Sequence, residues 1–227
     1  MNEGNSYIQS IVRQSVNTAY IWMGLGLLVT AVVSILMFSS GLYFQIAYRM
    51  PGLMFFMLLV QLGLAIGFGF AMNRVSATTL KAMFLLYAVT MGINLTPIAY
   101  SYRLGTIGLA FMVSAVYFFC LVLIGKTTKK DMTNIGMICL GGLIAMIIAS
   151  IIMMFTGHGD SILLSIIGLL LFTGITVYDV QRAERYLTTP NGYIEAEKIS
   201  IYMALQLYLD FINIFLYIVR ILGSRKN

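Results

Sequence analysis

The sequence predicts an all-α integral membrane protein with seven transmembrane helices. Three observations carry that prediction. Of 227 residues, 60% are hydrophobic and only 10% are charged, where a soluble domain carries about 25% charged residues. Mean hydropathy is +0.92, so there are too few polar side chains to cover a water-facing surface. The apolar residues also gather in seven runs, each long enough at ~1.5 Å per residue to cross the hydrocarbon core and too long for barrel strands. An ordinary cytosolic enzyme, a disordered chain and a nucleic-acid binder are excluded, and the lipid bilayer is the expected partner.

Residues 1–18 are polar, include Arg13 and are read as an N-terminal tail. The seven-helix membrane domain covers 19–222, with a C-terminal tail at 223–227. Spans fall at about 19–38, 53–72, 82–100, 104–124, 135–155, 162–179 and 200–221. The first is too long for a signal peptide and reads as an uncleaved anchor. Gly63 and Gly67 in span two, and Gly141-Gly142 in span five, predict close helix packing. Pro97, following Asn94 and Thr96, predicts a kink in span three. Cys120 and Cys139 lie inside apolar runs without a CxxC spacing and are read as packing residues, and lone His158 builds no metal site. The longest connection, from about 180 to 199, contains the turn signal Pro190-Asn191-Gly192.

Loop charges set the orientation. Arg13, Arg74, Lys81, Lys126, Lys129, Lys130, Arg182, Arg185 and Lys198 fall on one side; Arg49 and Arg103 fall in the loops of the other. The positive-inside rule then puts the N-terminus in the cytoplasm. Arg220, Arg225 and Lys226 follow the last span, so two paths stay open for it: a full crossing, or re-entry that returns the tail to the cytoplasm.

The informative residues are the acids within the apolar runs. Asp179 ends span six, and Asp210 lies inside span seven, about ten residues or ~15 Å deep. An acid at mid-helix costs ~2.5–3.5 kcal/mol on insertion scales, so a functional role is the default. Tyr202, Gln206, Asp210, Asn213, Tyr217 and Arg220 recur at spacings of three and four and form one polar stripe. That stripe is either a path for ions or a polar seam between helices. The two acids meet only if span six is recessed or dips into a cytoplasmic vestibule. Two such carboxylates in low dielectric cannot both ionise cheaply; they would share a proton, and such a pair senses pH. Arg74, at the same end, is either a partner for ionised Asp179 or a topology-setting loop arginine.

The residues Thr90-Met91-Gly92-Ile93-Asn94-Leu95-Thr96-Pro97, Thr127-Thr128-Lys129-Lys130-Asp131, Gly174-Ile175-Thr176-Val177-Tyr178-Asp179-Val180-Gln181 and Leu207-Tyr208-Leu209-Asp210-Phe211-Ile212-Asn213 resemble the transmembrane Bax inhibitor motif family, bacterial branch. The resemblance implies a seven-helix fold with the last helix central between two three-helix layers. It implies a proton-sensitive calcium leak of the bacterial inner membrane, with the family's aspartate pair on Asp179 and Asp210 and its latch arginine on Arg74. Span two offers Gln61 and no acid.

The expected function is therefore a non-enzymatic calcium leak gated by protonation. Pathway-lining candidates are Gln206, Asn213, Tyr202 and Tyr217. No cofactor or fixed metal is expected; calcium is the permeant ion, held at most transiently at Asp179 and Asp210. One alternative is a regulatory protein acting on a membrane-protein partner such as a protease. Another is an intramembrane aspartyl protease, for which Leu207-Tyr208-Leu209-Asp210 lacks the Gly-x-Gly-Asp context.

Overall fold

A computed structural model describes residues 2–72, 74–156, 162–189 and 195–223. Among these residues there are eight helices: α1 (Asn2–Ser39), α2 (Leu42–Arg49), α3 (Pro51–Ala71), α4 (Ala77–Ser101), α5 (Leu104–Thr127), α6 (Thr133–Thr156), α7 (Ile162–Leu187) and α8 (Ala196–Leu222). All but α2 are long and apolar enough to cross a membrane. Large apolar side chains remain exposed on them, among them Ile21, Phe56, Phe70, Val116, Ile138 and Leu170, which only a lipid solvent tolerates at this density. His158, Asp160, Pro190-Asn191-Gly192, Arg225 and Lys226 lie outside the described residues.

Local chemistry sets the helix ends. The backbone N–H of Ser40 and its hydroxyl both donate to the Leu36 carbonyl, at 3.1 and 2.6 Å. Gly41 then takes φ +66°, a left-handed position that costs glycine nothing and lets the chain turn into α2. Pro51 opens α3 where its missing N–H is not needed. The Ser76 hydroxyl accepts the Thr79 N–H at 3.2 Å and caps α4. α4 stays helical through Pro97, and the neighbouring Thr96 hydroxyl donates back to the Gly92 carbonyl at 3.0 Å.

Two boundaries differ from the sequence expectation. The 1–18 segment is helical from Asn2 and continuous with the first span. Span six does not end at Asp179: α7 continues to Leu187. The charges Arg182, Glu184 and Arg185 had marked the edge of the apolar run, but charged residues of high helix propensity extend a helix beyond the hydrocarbon.

The chain divides into two compact units: Met1–Ser101 with Tyr186–Tyr208, and Tyr102–Arg185 with Leu209–Asn227. Each holds three of the first six spans and one half of α8, the most buried span of the seven. In the first unit, Phe84 and Tyr87 of α4 meet the Tyr208 ring edge to face, at 5.7 and 6.0 Å between centroids. The Thr30 hydroxyl donates to the Ala88 carbonyl at 2.9 Å. Its one proton is thereby used, so Tyr208, 2.6 Å away, donates to it. A Cβ on Gly92 would stand 2.7 Å from the Thr30 carbonyl oxygen, so α1 and α4 approach closely there. In the second unit, Gly125 faces Val180, Gly142 faces Leu171 and Gly174 faces Cys139. Gly63, Gly67 and Gly141 were expected at helix contacts, but a methyl added at any of them would meet nothing within 4 Å among the described residues.

Candidate functional site

Asp179 and Asp210 both belong to the second unit, one on α7 and one on the C-terminal half of α8. Both are buried, at 9% and 3% exposure, and they lie within electrostatic reach of each other. The extension of α7 to Leu187 explains the meeting. It sets Asp179 about 12 Å inside its helix end, recessed by two turns.

Thr176, one turn before Asp179, hydrogen-bonds the Asp210 side chain. Its hydroxyl also donates to the Phe172 carbonyl at 2.7 Å. A hydroxyl has one proton, so while that bond holds, Thr176 can only accept from Asp210. Oδ2 of Asp210 is buried and has no hydrogen-bond partner among the described residues. Arg182, one turn after Asp179, is its cationic neighbour, and the guanidinium also lies 5.8 Å from the centre of the Tyr178 ring. Neither Thr176 nor Arg182 was singled out by sequence, although their three-residue offset from Asp179 puts both on its helix face.

The other expected residues are distributed between the units. Tyr202 stacks on Phe68 at 6.4 Å, and half-buried Gln206 follows it, both in the first unit. In the second unit, the Asn213 amide donates to its own helix at the Leu209 carbonyl, 2.8 Å away. Tyr217 lies against Phe172 and Gly168, with Arg220 over its ring. Between Ile199 and Val219 the half-exposed positions of α8 are Tyr202, Gln206, Leu209, Asn213 and Leu216, a stripe adjacent to buried Asp210. Arg74 is exposed in the turn between α3 and α4, where its backbone N–H donates to Ala71 at 2.8 Å, and it forms no ion pair among the described residues. Gln61 is satisfied by α4: its Nε2 donates to the Tyr87 hydroxyl at 3.2 Å and to the Met91 sulfur at 3.0 Å, and its Oε1 accepts from Asn94.

The fold and this buried pair of acids define a multi-pass, all-α membrane protein with an ionisable centre inside its helices. Residues 12–227 match the family described as inhibitor of apoptosis-promoting Bax1, and the chain belongs to that Bax inhibitor family. It is 36% identical to an uncharacterised protein of Borreliella burgdorferi over 90% of this chain and 89% of that one. A Deinococcus radiodurans protein, also uncharacterised, is 35% identical over 94% and 92%. The inner membrane protein YbhL of Escherichia coli strain K12 is 32% identical over 91% and 90%.

Proposed function

We propose that this chain is a pH-sensitive passive cation leak, permeable to calcium, in the cell inner membrane with its N-terminus in the cytoplasm. Protonation of the Asp179–Asp210 pair is its gate. One observation carries the reading: Asp210 is buried with an unpartnered carboxylate oxygen beside a second acid. Two ionised carboxylates in a low-dielectric interior repel and forfeit hydration. With a proton on Asp210, the carboxyl can donate to Thr176 while Thr176 keeps its bond to the Phe172 carbonyl; with Asp210 ionised, the Thr176 hydroxyl must leave that carbonyl to donate to the carboxylate. Protonation therefore switches a contact between α7 and α8. The proposal requires no cofactor and no chemical step. Calcium is the transported ion, touching the acids in passing. Gln206, Asn213, Tyr202 and Tyr217 are the proposed lining, and Arg74 the proposed latch of the ionised state.

The test is calcium entry into proteoliposomes of purified protein between pH 6 and 8. Wild type should conduct with a pH dependence that Asp210→Asn and Asp179→Asn each abolish. Conduction whose pH dependence survives in both variants would place the sensor elsewhere. Absence of conduction would favour a regulatory protein that acts on a membrane-protein partner.

A further inference from the structure

The connection between α5 and α6 is short, basic and held in place. Gln181, two residues past Asp179, holds it with both ends of its amide. Nε2 donates to the carbonyls of Thr128 and Lys130, both at 2.9 Å, and Oε1 accepts the Met132 N–H at 3.1 Å. Arg185, one turn further on, sets Nη1 2.9 Å from Oδ1 of Asp131 and donates Nη2 to the Thr133 hydroxyl at 3.2 Å. Asp131 also accepts the Thr133 N–H and hydroxyl, at 3.0 and 2.7 Å. Ordering a backbone costs about 1–2 kcal/mol per residue. A loop that only marks topology needs positive charge and not order.

The order acts on two lysines. The pinned carbonyls of Thr128 and Lys130 flank Lys129, and both Lys129 and Lys130 are exposed, with no ion pair among the described residues. The acids nearby are engaged elsewhere, Asp131 by Arg185 and Glu184 by Lys126. On the last turns of α5 and the first two turns of α6, the elements this loop joins, Leu123, Ile124, Met137 and Ile138 are exposed apolar side chains. The loop thus joins cationic donors to the exposed apolar ends of two spans, at the headgroup level those ends reach. We propose that Lys129 and Lys130, held by the Gln181–Arg185 clamp, bind the phosphate of an anionic phospholipid headgroup, whose acyl chains lie against the apolar ends of α5 and α6. The site is independent of whether the protein conducts ions.

The experiment is titration of the full-length protein, in neutral detergent, with phosphatidylglycerol, phosphatidylcholine and inorganic phosphate, read by native mass spectrometry. Each lysine near a headgroup should contribute about fivefold in affinity, so Lys129→Gln with Lys130→Gln should weaken phosphatidylglycerol binding about 30-fold. Arginine at both positions should retain it, and about 0.5 M salt should weaken it. Gln181→Leu, which keeps both lysines but releases the loop, should lose several-fold. Unchanged phosphatidylglycerol binding in the double glutamine variant would overturn the site. Wild-type affinity in Gln181→Leu would overturn the clamp's part in it. Inorganic phosphate or phosphatidylcholine binding as tightly as phosphatidylglycerol would overturn the anionic lipid as its occupant.

Discussion

Among the described residues, the cationic neighbour of Asp179 is Arg182, while the family resemblance assigns the latch to Arg74. The two assignments differ in which arginine, when removed, frees the gate. If ionised Asp179 is held by Arg74 in the closed state, acid removes the carboxylate's charge and the closed state loses about 1–3 kcal/mol. Flux then rises as pH falls. Arg74→Ala should raise flux at pH 8 about tenfold, the equivalent of ~1.4 kcal/mol, and flatten the profile. Should Arg182→Ala do this and Arg74→Ala behave as wild type, the latch is Arg182. A flux that falls steadily from pH 8 to pH 6 would reverse the sign of the gate. The acids themselves were legible in the sequence because a carboxyl inside an apolar run is costly enough to need a reason. Thr176 and Arg182 were not: a threonine in a membrane helix commonly satisfies itself on its own backbone, and an arginine after an apolar run commonly marks topology.

The clamped loop between α5 and α6 has its own response to acid. Hydrogen bonds from the Thr133 hydroxyl and N–H, with help from Arg185, hold the Asp131 carboxyl below the ordinary carboxylate range. A lowered folded value means that the contribution is complete above the unfolded value near pH 4 and is lost as pH falls through the lowered one. Amide exchange at 128–133 should therefore show constant protection from pH 8 to pH 5, after correction for intrinsic rates, and loosen only below about pH 4. Loosening near neutrality would show that the loop takes part in the gate. Helix contacts make a second prediction at this scale. Gly92→Ala sets a methyl 2.7 Å from the Thr30 carbonyl oxygen and should cost about 1–3 kcal/mol, read as a lower Tm in detergent. Gly63→Ala meets nothing and should be neutral or stabilising by up to about 1 kcal/mol. The sequence motif favoured Gly63 and Gly67 for packing. Spacing alone does not say which face of a helix meets protein, because lipid and protein interiors are equally apolar.

Across the whole molecule, α8 belongs to both units and carries the acid in one of them. Its half-exposed stripe of Tyr202, Gln206, Leu209, Asn213 and Leu216 shares three residues with the polar stripe read in the sequence, but Asp210 and Tyr217 are buried beside Leu209 and Leu216. In a cysteine-free background that keeps both acids, a small hydrophilic thiol reagent should modify cysteines at half-exposed positions 206 and 213 faster than one at buried position 212. Position 213 should gain reactivity at pH 6, when the proposed gate is open. Equal labelling at 212 and 213, or no gain at 213 while flux rises, would mean that ions do not pass along this face of α8.

The seven spans, the helical class and the rank of the two acids were determined by the sequence itself, because hydrocarbon thickness and the cost of a buried charge act on each segment separately. The partition into two units, each with three spans and half of α8, was anticipated by family resemblance only in its three-plus-three count. Only tertiary structure decided that α7 runs on past its charges to Leu187, that Asp179 is thereby recessed beside Asp210, and that Thr176 turns its oxygen toward that acid. These depend on where one helix stands against another. An apolar run of a given length is compatible with many such placements, and side-chain contacts choose among them.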